Sequence, residues 1–424
     1  MEHEEDGRKQ LSKWHKWVIT VLLGMSALHA TALNSAWGVA NDDIVQDMKV
    51  NTEVSTLGIS LFVIIAGIGP LVTAPLSEFY GRRPVYLVGF AGYVAFQAGS
   101  AFGRPFATVL VCRSLCALFA GVFLANVGGS ISDIFDPAEL GPPMTVFTLG
   151  SFNGPTLGPV ISGVVVQRLG WRWVFYVFLI WAGALAIANV VFVPETRQKL
   201  QEEKCKHQSV WRAMLQSVKT PFVLMRKELM LDILCLYSGF LMAVVYLFLV
   251  AFPLVFQEVY GFGPQGSGLA FLSLAIGITA GGVGFAYYSG RRRITNPEAH
   301  LSSTCIGGVL APIGILAFAW TIYPSVHWTA PMAAAAIFGL GYYTTFNAIL
   351  AYIVAAYPRT SASAVAVNVF VRGVLCGAFP LFGKQLFESS LGFHWATSLI
   401  GFIALFLSPV GFLFRRYGYR FRQN

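Results

Sequence analysis

Charge is what this sequence has least of. Asp, Glu, Lys and Arg make up only 12% of its 424 residues, where soluble domains carry about 25%. A water-soluble globule of this size has no means of hiding the remaining apolar surface. A soluble enzyme, a disordered chain and a secreted disulfide scaffold are therefore excluded. Cysteine is also scarce: six residues (Cys112, Cys116, Cys205, Cys235, Cys305, Cys376) with no metal-ligand spacing. Cys112 and Cys116 sit in an apolar run and read as small buried hydrophobes. No phosphate loop of the GxxxxGK[ST] form occurs, which argues against direct ATP drive. No nucleophile, base and oxyanion group converge, so neither enzyme chemistry, metal nor cofactor is expected. A cleavable signal peptide is not evident, since the first apolar run is too long and follows a polar stretch with four acids.

What the sequence has in excess is apolar surface. Hydrophobic residues are 56% of the chain and mean hydropathy is +0.64. The 35 Phe, 16 Tyr and 10 Trp suit lipid-facing surface and interfacial belts, and 43 Gly suit packed membrane helices. A membrane helix needs roughly 20 mostly apolar residues. Twelve such runs are predicted, at about 17–40, 56–77, 84–103, 106–130, 143–166, 172–193, 229–256, 268–289, 301–321, 329–355, 362–383 and 394–414. Their length, and their wealth of Gly and Phe, do not fit the short alternating strands of a barrel. The expected fold is an all-α polytopic membrane protein.

Twelve spans place both termini on one side. With that side cytoplasmic, inner segments hold 22 of the 29 Lys and Arg and outer loops only five: Lys49, Arg104, Arg168, Arg172 and Lys384. The bias fixes both termini inside by the positive-inside rule. It also accounts for the net charge of +9 by attraction to anionic lipid, with no nucleic acid. The longest polar stretch, 194–228, divides six helices from six and includes a short amphipathic segment around Val210–Val218. The expected organisation is a tail (1–16), a six-helix bundle (17–193), the linker (194–228), a second bundle (229–414) and a tail (415–424). Such paired halves are typical of alternating-access transporters.

Four local patterns carry chemistry. The first is GPLVTAPLSEFYGRRPVYLVG, Gly69 to Gly89. Gly81 allows a tight turn between helices, Arg82 and Arg83 sit at the lipid surface, and Glu78 ends helix two. Glycine and an arginine cluster recur after helix eight (Gly290 to Arg293), without an acid matching Glu78. This is a weak repeat between functionally unequal halves. The second is Arg113, inside helix four. An intramembrane charge faces a cavity or a partner, or snorkels to the interface. Asn126, deeper in that helix, reads equally as cavity lining or as an interhelical bond. The third is GSFNGPTLGPVISG, Gly150 to Gly163. Gly150, Gly154 and Gly158 form one smooth face that admits a neighbouring helix, while Pro155 and Pro159 bend the helix. The fourth is the second half's polar and aromatic set: Tyr246, Tyr342, Phe346, Asn347 and Arg372. With Asn34, Asn126 and Asn153 these are the cavity candidates. For the aromatic ones, belt or packing roles are equally open.

These motifs resemble the major facilitator superfamily and, within it, the twelve-helix drug:proton antiporters of fungi. The Glu78–Arg83 loop is similar to the superfamily's first signature, with Pro75 at a position usually held by glycine. The resemblance implies that Glu78, Arg82 and Arg83 latch the two halves. Arg113 and Gly121 match the family's helix-four motif, with Ala120 at a glutamine position, and this implies a part in proton coupling. Leu140 stands where relatives place an arginine. Gly150, Gly154, Pro155 and Gly158 match the antiporter signature, with Pro159 at its last glycine. The flanking QRLGWRWVFYV (Gln167 to Val177), VPET (Val193 to Thr196) and FPLFGKQLFESSLGFHWA (Phe379 to Ala396) are also similar to family text. The implied fold is the major facilitator fold of two six-helix bundles. The implied function is export of an amphipathic organic compound in exchange for protons, by a functional monomer in the plasma membrane. A symporter or facilitator on the same fold, and the vacuolar membrane, are the alternatives.

Proton coupling needs a group that titrates within the cavity. None of the 20 acids falls near the centre of a predicted helix. Asp42 and Asp43 lie at the outer end of helix one, and Asp232 at the inner start of helix seven. His29 is the one histidine well inside a helix, and imidazole titrates near neutral pH; a packed histidine is the other reading. The coupling candidates are therefore Arg113, Asp42, Asp43, Asp232 and His29.

Overall fold

The computed structural model describes residues 11–136, 139–196, 210–291, 297–357 and 360–422. Of the basic residues counted above, Arg8, Lys9, Arg197, Lys199, Lys204, Lys206, Arg292, Arg293 and Arg359 lie outside the described residues, as does Cys205. The described residues are helical almost throughout. The first half comprises α1 (Lys13–Met48), α2 (Thr52–Tyr80), α3 (Arg82–Phe102), α4 (Phe106–Ile134), α5 (Gly141–Leu169) and α6 (Trp171–Phe192). Helix α7 (Val210–Lys227) precedes the second half. That half comprises α8 (Leu229–Glu258), α9 (Pro264–Arg291), α10 (Leu301–Thr321), α11 (Thr329–Ala356), α12 (Ser361–Glu388), α13 (Gly392–Leu407) and α14 (Pro409–Arg422).

Eleven stretches, with α13 and α14 taken as one, are long and apolar enough to cross a membrane. Helix α5 is the twelfth. It has 29 residues, as α2 and α4 do, but its glycines and prolines dilute its hydropathy. It packs lengthwise on α1 and α9. The fold is two six-helix bundles. Termini of spans differ from expectation for local reasons. Ser12 caps α1 by accepting the His15 amide at 3.3 Å, so that helix starts at Lys13. It then runs on past Ala40 through polar residues that contain no Gly or Pro, and stops where Lys49 adopts φ 53°. Polarity ends an apolar run without ending a helix. The expected last span is interrupted after Leu407, where Pro409 opens α14. Helix α7 extends past Val218 to Arg226 and Lys227, cations that suit a helix C-terminus.

Within the first half α1 packs on α5 and α2 on α4; within the second, α8 packs on α12 and α11 on both α9 and α10. The halves meet along two seams, α5 with α9 and α2 with α12. Helix α7 lies against both α2 and α12, with Phe222 and Phe370 rings 5.3 Å apart. The most apolar window of α8 is 89% buried and that of α6 is 33%. Helix α8 is thus a central element, and α6 shows Ile180, Ile187 and Val191 outward.

Candidate substrate cavity and gating loop

A central cavity of about 60 Å³ lies between the two halves. Asn34 and Thr31 of α1, Phe62 of α2, Ser151 and Phe152 of α5, Met242 and Tyr246 of α8, and Arg372 and Cys376 of α12 line it. Of the cavity residues expected from sequence, Asn34, Tyr246 and Arg372 are therefore brought together. Tyr342 and Phe346 stand one layer behind, their rings 5.8 and 4.6 Å from that of Phe152. The Arg372 guanidinium lies over Phe346 at 5.3 Å.

Three asparagines are placed elsewhere. Asn126 accepts from Ser77 Oγ at 3.2 Å, which makes it an α4–α2 bond. Asn153 donates to Thr279 Oγ1 at 3.2 Å across the α5–α9 seam. Asn347 donates back to its own helix at Tyr343 O. Sequence reasoning missed Phe62, Ser151, Phe152 and Met242. Ser151 and Phe152 lie inside the glycine–proline stretch, where the small residues are the conspicuous ones.

Arg113 does not snorkel. It is 2% exposed and donates to four oxygens: Gly58 O at 2.7 Å, Leu33 O at 3.2 Å, Asn34 O at 2.9 Å and Asn34 Oδ1 at 3.3 Å. Trp37 and Phe62 rings flank it at 4.7 and 5.0 Å. It forms no ion pair with any described acid, so Arg113 fastens α1 to α2 and α4 beside the cavity. Asp42 lines a separate cavity of about 240 Å³ near the ends of α1 and α8, with Glu258, Lys384 and Glu388. Asp43 lies in a surface cleft with Asp47 and Arg172. Asp232 lies in the first turn of α8 with Oδ1 buried and without a hydrogen bond. The structure does not assemble these acids with Arg113. His29 is locked, its nitrogens bonded to the Tyr93 hydroxyl at 3.0 Å and Phe178 O at 2.9 Å, within a cage completed by Trp181. This favours the packed reading.

The glycine face of α5 meets α1. A methyl group added at Gly154 would strike Thr31 Oγ1 and Leu28 O, and one at Gly158 would strike Ala32 O and Ser35 Oγ. Gly150 approaches Gly24 O. Pro155 has no N–H for the carbonyl four residues earlier, that of Ser151. Thr31 Oγ1 on α1 lies 3.1 Å away, its one proton shared between that carbonyl and those of Ala27 and Leu28 on its own helix. Gly163, off that face, meets Pro264 and Gly268 of α9, and Gly67 of α2 faces Gly373 of α12. The halves also touch where Gly38 meets Leu249 and where Gln385 donates to Glu53 at 2.7 Å. The Gly67–Gly373 approach lies at mid-membrane beside the cavity, and the others lie toward the face opposite the termini. Toward the termini the halves meet through side chains, with the Thr148 and Tyr343 hydroxyls 2.9 Å apart.

At the terminal face Gly81 adopts φ 97°, a conformation that favours glycine. The Glu195 carboxylate accepts the Arg82 and Arg83 amides at 2.8 and 3.0 Å. The Arg82 side chain pairs with Asp133 at 3.1 Å, donates to Ser77 Oγ at 2.7 Å and packs over Gly129. Glu78 is exposed at the end of α2. The Arg82 and Arg83 contacts thus join α2, α3, α4 and α6 of one half, whereas the element touching both halves is α7. Glu195 lies in the VPET segment, but sequence reasoning gave it no role. Across the same face Tyr357 donates to Glu228 at 3.1 Å; burial, then the Glu228 charge, push its hydroxyl pKa up, so it stays a donor.

The sequence pattern of the Major Facilitator Superfamily matches residues 22–380. A probable drug/proton antiporter, YHK8, of Saccharomyces cerevisiae is 34% identical over 99% of this chain and 87% of its own length. The efflux pump FUB11 of Gibberella moniliformis is 34% identical over 98% of this chain and 74% of its own. The multidrug transporter mdrA of Aspergillus fumigatus is 33% identical over all of this chain and 74% of its own. Among solved structures, the human organic anion transporter MFSD10 (TETRAN) superposes with a TM-score of 0.69 at 16% identity, over 95% of this chain and all of that one. At that identity the likeness concerns the fold.

Proposed function

The chain belongs to the major facilitator superfamily, and on that premise we propose that it exports an amphipathic organic compound by alternating access, in exchange for protons. The observation that carries this reading is the cavity between the two halves, walled by aromatic and small residues from α1, α2, α5, α8 and α12. The names of the fungal relatives and the match of Gly150–Gly158 to the antiporter signature support efflux. In this reading Gly150, Gly154, Pro155, Gly158 and Pro159 set how closely α1 and α5 approach. Glu78, Gly81, Arg82 and Arg83 shape the gate at the terminal face. Arg113 holds α1 in register beside the cavity, and Tyr342, Phe346 and Asn347 back the cavity wall. Among the described residues no carboxylate lines the cavity, so in this reading proton coupling falls to Asp42, Asp43 or Asp232 at helix ends.

The basic bias of the terminal side supports cytoplasmic termini, and the proposed location is the plasma membrane. The proposed working unit is a monomer in lipid. Flux of a tracer from sealed vesicles tests the reading. External acid should stimulate export and a protonophore should stop it. Export unchanged after collapse of the pH gradient, at clamped voltage, would replace the antiporter with a facilitator. Proton-driven accumulation in the opposite direction would replace it with a symporter.

A further inference from the structure

We infer that the central cavity is built for an organic anion, a carboxylate on an aromatic or similarly apolar body, with Arg372 as its counter-charge and Asn34 as a second donor. This rests on the transport reading above and names its substrate class. Arg372 lies near the middle of α12, eleven residues after its first residue, Ser361, and sixteen before its last, Glu388. It lines the cavity. Among the described residues it has neither a hydrogen bond nor a carboxylate partner; its close neighbour is the Phe346 ring at 5.3 Å. A guanidinium at that depth is costly unless something of opposite charge answers it.

Asn34 supplies the independent observation. It is 1% exposed, lines the same cavity, and among the described residues its Nδ2 makes no well-formed hydrogen bond; the acceptor it points to is the Tyr246 hydroxyl. Its Oδ1 is taken by Arg113, so the amide is oriented with its acceptor toward the arginine and its donor left over. The second intramembrane cation, Arg113, adds positive potential behind Asn34. Among the described residues no acidic side chain lines the cavity to offset either one. A carboxylate would find together a forked cation and an N–H₂ with no well-formed bond of its own. An organic cation, otherwise suited to these aromatic walls, would meet like charge instead. The rest of the lining, Phe62, Phe152, Met242 and Val369 among it, matches the apolar body of such a molecule in polarity, and the cavity of about 60 Å³ must widen to admit it.

The experiment uses three probes of one shape on the purified full-length protein: 2-naphthoate, 2-naphthamide and 2-naphthylmethylammonium. Binding is measured by equilibrium dialysis, and flux in proteoliposomes. The wild type should bind the carboxylate at least about 10-fold more tightly than the amide or the ammonium. Arg372→Gln should weaken carboxylate binding by about 10- to 100-fold, as loss of a charged hydrogen bond does, and leave the amide unchanged. Arg372→Lys should restore part of it. Asn34→Asp keeps the acceptor for Arg113 and provides a second test if Arg372→Gln folds poorly. It should remove the carboxylate preference and admit the ammonium probe. Equal binding of the three probes by wild type, or no carboxylate-selective binding up to the solubility limit, would overturn the proposal. So would an unchanged preference in Arg372→Gln. Selective binding with no flux of any probe would remove the transport reading and leave this one. Equal flux of all three would do the reverse.

Discussion

Each half of the molecule carries one arginine inside its helices, and their surroundings are opposites. Arg113 of the first half is closed off from the cavity and donates to backbone carbonyls of α1 and α2 and to Asn34. Arg372 of the second half opens onto the cavity with a ring as its neighbour. The supporting helices differ in the same way. Helix α1 is held against α5 by glycines and hydroxyl-to-carbonyl bonds. Helix α8 is held by a buried run of large apolar side chains from Phe240 to Phe256. The first half therefore uses its charge to hold a helix in place, and the second keeps its charge available. An intramembrane cation is costly in both places, yet the same residue type does structural work in one and recognition work in the other.

The comparison breaks most directly at Arg113. Arg113→Ala removes four donated bonds that tie two helices together in a buried site, and should cost about 3 kcal/mol of stability and abolish transport. The apparent melting temperature of the purified protein checks it, and an unchanged value would make the two arginines alike. The four donated bonds are the reason to expect both losses. Arg372→Gln should change melting by less than about 1 kcal/mol, because no hydrogen bond is lost.

Next in size is the glycine face. Gly154→Leu should abolish turnover, since its side chain would enter α1. Overpacking costs about 1–3 kcal/mol, enough to bias a conformational equilibrium by roughly one or two powers of ten. Val164→Leu, on the same helix and half-exposed, should transport as wild type does. Parallel flux assays at matched expression decide this. Gly154→Ala should already slow turnover, because the added methyl lies 2.7 Å from Leu28 O.

A smaller effect is expected at the terminal face. Gly81→Ala meets both a φ of 97° and the Glu195 carboxylate. About 1–2 kcal/mol of strain should result, with a matching fall in melting temperature. Smallest is Thr31→Val, which removes the donor serving Ser151 O; about 1 kcal/mol is expected. Thermal unfolding of this single variant beside the wild type resolves it.

The spans were legible because an apolar run of membrane length has few other uses. Even α5, whose hydropathy glycine and proline dilute, was legible as one of the twelve runs. Arg113 was legible as a buried charge, but its partners were not. Most are carbonyls, and a carbonyl carries no residue identity to read. Glu195 was hidden for a related reason: it binds amides more than a hundred positions away, and any residue could supply them. Asn126 and Asn153 were ambiguous because an asparagine serves a neighbouring helix or a cavity with the same atoms. Only the packing separates the two roles. The cavity's Phe152 looked like any other of 35 phenylalanines.

The pairing of Pro155 with Thr31 has a consequence on the scale of descent. A proline that arrives first leaves Ser151 O unanswered, while a threonine that arrives first costs almost nothing. The order of substitution is then biased, by the roughly 1 kcal/mol that the bond contributes, toward the hydroxyl on α1 before the proline on α5, and toward loss of the proline before loss of the hydroxyl. The two positions, 124 residues apart in the chain, are expected to be inherited as one character.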